Sequence, residues 1–165
     1  MNNNVILIGM SGAGKSTLGV LLAKALGYSF TDTDLLIQQR EGRLLQNIID
    51  EEGLDYFMDT EEQTVSAVEA ERCVIATGGS VVYSDRAMAH LCSLGRVVYL
   101  SVPFEELEKR LSNIKTRGIV FKGSNDLRAV YEERLPLYEK YADLTVACTG
   151  KDIEDSVEQL VRELT

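Results

Sequence analysis

The run Val5-Ile6-Leu7-Ile8-Gly9-Met10-Ser11-Gly12-Ala13-Gly14-Lys15-Ser16 leaves this chain few folds to choose from. Four apolar residues in succession read as a strand buried on both faces, the habit of a parallel sheet. Residues 9–16 then satisfy G-x-x-x-x-G-K-[ST] in full. Leu18, Leu21, Leu22, Ala25 and Leu26 follow on one helical stripe, and Gly27 suits a helix stop. Strand, glycine-rich turn and helix are the context that gives this pattern its meaning. The glycines let backbone N–H groups turn inward around phosphate oxygens. The helix start adds its partial positive charge. A chance glycine turn carrying Lys-Ser would lack both flanks. The expected ligand is a nucleotide, with Lys15 reaching the β- and γ-phosphates and Ser16 on Mg²⁺.

Short apolar runs and amphipathic stretches alternate along the rest of the chain. Strands are expected at residues 28–31, 73–77, 97–100 and 144–148. Helical segments are expected at 35–68 (broken near Gly42 and Gly53), 84–94, 103–112, 126–142 and 152–164. Pro136 is expected to kink the helix that contains it. Five strands separated by helices imply an α/β fold of three layers, α/β/α, with a parallel sheet and right-handed crossovers. Ligands in such sheets bind at the carboxyl ends of strands. That points to the loops after Ile8, Thr31, Thr77 and Leu100.

A length of 165 residues suits one domain spanning 1–165. With 17 basic and 26 acidic residues the net charge is −9. Nucleic acid and anionic membranes need a basic face, so neither is an expected partner. A small anionic substrate needs only locally placed cations. Cys73, Cys92 and Cys148 show no metal spacing, and His90 is the one histidine. They read as reduced core thiols of a cytoplasmic protein. No signal peptide or membrane-length apolar run is evident.

The acids narrow the class further. A GTPase would carry Asn-Lys-x-Asp, which is absent. Asp50-Glu51-Glu52-Gly53 fits a loose D-x-x-G but follows no strand, so it reads as chance. The acids expected at a strand end are Asp32 and Asp34, two apart and pointing the same way on extended chain. Asp32 suits Mg²⁺ held through water. Asp34 suits a base or an orienter of a hydroxyl. Helix capping is the competing use of either. Gly78-Gly79-Ser80 ends another strand at the same edge, where glycines permit close approach of a ligand. Residues 113–125 carry three cations and no acid, and read as a mobile lid that brings Arg117 to the transferring phosphoryl group. Arg134 falls on the apolar stripe of Tyr131, Leu135, Tyr138 and Ala142. It needs either a neighbouring Glu or an anionic substrate.

Together these residues resemble the shikimate kinases, a family of the nucleoside-monophosphate-kinase-like P-loop group. The resemblance covers nearly the whole chain: residues 9–17, Asp32-Thr33-Asp34, Gly53 with Phe57 and Glu61, Thr77-Gly78-Gly79, Arg110 with Arg117, and Arg134 with Tyr138 and Ala142. It implies a sheet in the order 2-3-1-4-5, acceptor-binding helices at 34–68 and a monomer. It implies a phosphate site of Gly12, Ala13, Gly14, Lys15, Ser16 and Thr17, with Mg²⁺ on Ser16 and Asp32 and Arg110 against adenine. It gives Lys15, Asp34 and Arg117 to catalysis. Asp34, Gly78, Gly79, Ser80 and Arg134 fall to the acceptor. The implied reaction is ATP-dependent phosphorylation of shikimate to shikimate 3-phosphate, in aromatic amino acid biosynthesis.

Three positions depart from the family pattern. Met58 stands where an arginine normally clamps the substrate carboxylate, Ser80 replaces a third glycine, and Gly118 replaces the proline after the lid arginine. Losing one charge-assisted bond costs roughly 1.5–3 kcal/mol, about 10- to 150-fold in binding. Arg43 and Lys122 are candidates to replace it. Met58 is expected to face the acceptor pocket, where Glu61 would lack its usual cationic neighbour. Two other readings stay open: a kinase of a different small polyol or hydroxy acid, and a non-catalytic nucleotide-binding regulator.

Overall fold

The computed structural model describes residues 3–112, 126–148 and 152–165. Its five strands are β1 (Asn4–Ile8), β2 (Ser29–Asp32), β3 (Cys73–Ala76), β4 (Gly95–Ser101) and β5 (Leu144–Ala147). They form one sheet in the order β2-β3-β1-β4-β5, every pairing parallel. The eight helices assigned among the described residues are α1 (Lys15–Leu26), α2 (Thr33–Glu41), α3 (Leu45–Glu52), α4 (Leu54–Ser66), α5 (Asp85–Leu94), α6 (Phe104–Ser112), α7 (Leu127–Tyr141) and α8 (Ile153–Leu164). They flank the sheet, giving the expected three layers.

β1 is central and wholly buried, which is why its run is apolar without alternation. Its one polar member is no exception to satisfied burial. The Asn4 amide donates to Ala70 O at 2.7 Å and Leu94 O at 2.9 Å, and its Oδ1 accepts from Cys73 N at 3.0 Å. One side chain therefore ties the start of β1 to the segments entering β3 and β4. Polar character at residue 4 gave no hint of this in the sequence.

The segment expected as a helix broken near Gly42 and Gly53 is three helices, α2, α3 and α4. Gly42 adopts φ 67° and closes α2 with its N–H on Gln38 O. A small satellite core of Ile37, Ile48 and Phe57 holds the three together. α7 runs through Pro136 as one helix from Leu127 to Tyr141. Cys92 corrects the expectation of core thiols: it is exposed on α5, while Cys73 and Cys148 are buried. Among the described residues no helix is long and apolar enough to cross a membrane. The expected lid, with Arg117 and Lys122, lies outside the described residues.

Candidate active site

The carboxyl ends of β1, β2 and β3 bring the phosphate loop, Asp32 and Asp34, and Thr77 to Ser80 to one edge of the sheet. Thr77 anchors the third of these, its hydroxyl donating to Leu7 O at 2.8 Å. A cavity of about 280 Å³ opens there, lined by Gly12, Gly14, Lys15, Ser16, Thr17 and Asp34 among others.

Gly14 caps α1 at φ 93°, a left-handed conformation that side-chain-bearing residues seldom adopt. No side chain caps this helix, so its first N–H groups face the cavity as donors for an anion. Lys15 is buried, with Nζ donating to Gly9 O at 2.5 Å and Met10 O at 2.8 Å. An ammonium so placed needs only a small swing to meet phosphate. Ala13 lies beneath the loop, its N–H on Met10 O at 3.1 Å. Arg110 on α6 donates to Gly12 O at 3.0 Å and pairs with Glu106 at 2.6 Å. That holds a guanidinium on the outer side of the loop.

Ser16 Oγ donates to Asp32 Oδ2 at 2.6 Å. Asp32 Oδ1 accepts from Asp34 N at 2.9 Å and so caps α2. Of the two uses weighed for Asp32, the capping one is seen, and the same carboxylate also accepts from Ser16 beside the phosphate loop. Its cap fixes the start of α2 at Thr33, and Asp34 in that first turn lines the cavity.

Beyond Asp34 a second chamber of about 20 Å³ continues the first, lined by Asp34, Phe57, Glu61, Gly79, Ser80 and Arg134 among others. Gly78 must lack a side chain here, since a Cβ would lie 2.7 Å from Asp34 Oδ1 and 2.9 Å from Glu61 Oε2. Arg134 is 1% exposed and donates from Nε to Tyr83 Oη at 3.3 Å, its guanidinium over the Tyr83 ring at 5.3 Å. Arg134 lines the chamber, while Glu132 lies 3.8 Å from Arg128, and Glu133 and Glu139 are exposed. Tyr138 donates to Gly79 O at 2.6 Å and stacks on Tyr99, with ring centroids 5.1 Å apart. This pins the glycine turn against α7.

Met58 departs from its expected place. It packs against the satellite core of Ile37, Ile48 and Phe57 and lines neither chamber. The buried residues of α4 are Phe57, Thr60, Glu61, Thr64 and Val65, and residue 58 is turned about 100° from residue 57. Arg43 does not replace the missing arginine either, because it pairs with Glu51 at 2.5 Å and Glu52 at 3.3 Å. Ser80 is buried and donates to Glu61 Oε1 at 2.8 Å. Burial pushes the Glu61 carboxyl up to about 8; the Ser80 bond opposes this, the nearby Asp34 adds to it, and Arg134 and Lys15 oppose it.

Several residues in or beside the cavity carried little or no signal in the sequence. Leu44, Leu45 and Gln46 reach the cavity only because α2 and α3 turn back on each other. Tyr83 sits in the short 3₁₀ turn Val81–Tyr83, which no periodicity marks. Glu61 was visible as part of the family pattern with Gly53 and Phe57, but its burial shows only in the structure.

A sheet in this order, with a phosphate loop at the end of its central strand and a second chamber beside it, defines a P-loop kinase of small molecules. The family profile "Shikimate kinase" matches residues 11–165. The shikimate kinase of Chlorobium luteolum is 37% identical over 172 aligned positions, covering 97% of this chain and 84% of that protein. That of Chlorobium chlorochromatii is 39% identical, covering 97% and 90%. The structure of shikimate kinase from Acinetobacter baumannii in complex with shikimate superposes with a TM-score of 0.88 at 29% identity, covering 98% of this chain and 92% of that one. The chain belongs to the shikimate kinase family: it is an ATP-dependent phosphotransferase with an alcohol acceptor.

Proposed function

We propose that this enzyme transfers the γ-phosphoryl group of ATP to a hydroxyl of shikimate, giving shikimate 3-phosphate and ADP. One observation carries the reading: the phosphate loop and a chamber walled by Asp34 and buried Arg134 are two ends of one cavity. Family membership and the shikimate-bound relative favour shikimate over another polyol and over a non-catalytic regulator.

The roles follow from position. Arg134, buried and charged, grips the acceptor carboxylate. Asp34 orients the acceptor hydroxyl and takes its proton as the oxygen bonds to phosphorus. Gly78 and Gly79 let the acceptor ring approach the backbone. Lys15 and the N–H groups of α1 hold the phosphates, and Arg110 lies against the nucleotide base. Ser16 and Asp32 present two hard oxygens 2.6 Å apart beside the phosphate loop, a donor set that fits Mg²⁺. When bound there, Mg²⁺ neutralises charge on the transferring group. Arg117 is assigned the closing contact on that group. We place the enzyme in the cytoplasm as a monomer.

Product formation from ATP and millimolar shikimate is the test, run beside a panel of polyols and hydroxy acids. Shikimate is expected to give phosphorylated product well above every other acceptor. No product from shikimate, with turnover of another polyol, overturns the reading.

A further inference from the structure

The smaller chamber contains a carboxyl group that the roles above leave without work. Glu61 is 3% exposed. Its Oε1 accepts from Ser80, but its Oε2 is fully buried and has no hydrogen-bond partner among the described residues. That oxygen and Asp34 Oδ1 lie close together beside Gly78, and both residues line the chamber. A buried polar atom left unmatched costs roughly 1–3 kcal/mol, so a partner is expected to arrive there. The chamber, about 20 Å³, suits one water-sized group. It therefore takes a single polar substituent of an acceptor whose ring stays in the larger cavity.

The charges that face Glu61 are Asp34 from α2, Arg134 from α7 and Lys15 from α1. Other charges on the packed elements are engaged elsewhere. Arg40 of α2 reaches Gln63 and Thr64, Glu51 and Glu52 of α3 pair with Arg43, and Arg86 of α5 lies by Glu62.

We propose that Glu61, held by Ser80, is a specificity-determining contact that donates a hydrogen bond from its protonated carboxyl to the acceptor. A neutral donor thereby stands in for the cation that the family pattern places at position 58. Met58 and Ser80 then belong to one device. With no arginine at position 58, an ionised Glu61 would be a buried anion next to Asp34, with a large desolvation cost that Arg134 and Lys15 offset only in part. Ser80 satisfies one oxygen and a retained proton equips the other. A raised affinity for protons, to about 8, agrees with this geometry. The inference rests on the shikimate reading for the identity of the acceptor alone.

Measuring KM for shikimate and for ATP from pH 6.5 to 9 tests it. If the proton on Glu61 is needed for acceptor binding, KM for shikimate rises about 10-fold between pH 7 and 9, while KM for ATP stays level. Glu61→Gln retains a donor that does not titrate, so its KM ratio between those pH values falls to about one. Ser80→Ala removes a bond that favours the ionised form and moves the rise to higher pH. A level profile in the parent enzyme, or the same rise in Glu61→Gln, overturns the proposal. A merely structural Glu61 would change melting temperature and leave the slope of KM against pH in place. A second readout needs no acceptor: the carboxyl carbon signal of Glu61 should titrate near pH 8 in the free enzyme, and a midpoint below 6 overturns the proposal. An enzyme that makes no shikimate phosphate at any pH loses the shikimate reading only, and the carboxyl titration then decides Glu61.

Discussion

At the phosphate end of the cavity, residues 9–16 supply the loop, the lysine and the serine that bonds Asp32 in one uninterrupted stretch. At the acceptor end, α2 supplies Asp34, α4 supplies Glu61, the turn after β3 supplies Gly78 to Ser80, and α7 supplies Arg134. The first end is a local device, since a glycine turn at a helix start makes an anion site wherever it folds. The second exists only after four elements pack. Its polar groups depend on one another: the Ser80–Glu61 bond spans 19 positions, and Arg134 reaches Tyr83 across 51. The local device matches the family pattern through residue 17. The assembled one departs at Met58 and Ser80, and adjusts by altering which group carries a proton.

Substitutions at the two ends should separate along this line. Asp34→Asn keeps the side-chain shape but cannot take a proton. Turnover should fall about 10²- to 10⁴-fold with KM for ATP nearly level, as steady-state kinetics will show. An equal loss in ATP affinity would make Asp34 part of the α2 start and not of the chemistry. Lys15→Ala removes a preorganised cation from the phosphate end. Turnover should drop about 10²- to 10³-fold, now with weaker ATP binding in calorimetry and little change in shikimate binding.

Met58→Arg restores a cation to α4 close to Glu61. KM for shikimate should fall about 10-fold, one charge-assisted bond. The KM rise toward pH 9 should weaken as well, because a guanidinium lowers the proton affinity of Glu61. A raised or unchanged KM would mean that residue 58 keeps to the satellite core of Ile37 and Ile48 whatever its chemistry.

A separate effect concerns stability. Burial raises Glu61 from 4.5 in an open chain to about 8 when folded. Between those values the folded state holds a proton that the unfolded state has released. Glu61 therefore stabilises the fold most below pH 4.5, and that contribution is lost as pH rises toward 8. Urea unfolding at pH 5.5 and 8 should show a larger decline for the parent than for Glu61→Gln. Equal declines would mean that the carboxyl is ionised throughout.

Most of the fold was legible because a buried parallel sheet leaves strong marks: unbroken apolar runs in β1, β3 and β4, each followed by a stripe of period 3.6. The breaks at Gly42 and Gly53 were legible for the same reason, since glycine ends a helix through its own backbone. The clamp made by Asn4 was not, because its three partners come from residues 70, 73 and 94. Cys92 was misplaced because a cysteine on an amphipathic helix reads alike on either face. Of the site, the phosphate loop and the two aspartates could be read directly. Residue 58 was expected at the acceptor by its place in a pattern, but its apolar side chain packs against the satellite core of Ile37, Ile48 and Phe57.

The order of elements, the phosphate loop and the family were therefore properties of the chain alone, set by apolar periodicity and by contacts within a few residues. Which carboxyl faces the acceptor, which oxygen lacks a partner, and which side chain takes the place of a missing cation were decided by tertiary packing. Hydrogen bonds are made or lost over less than 1 Å, and burial moves a proton by several pH units. Neither quantity is written in residue order; both arise where α2, α4, α7 and the turn after β3 meet.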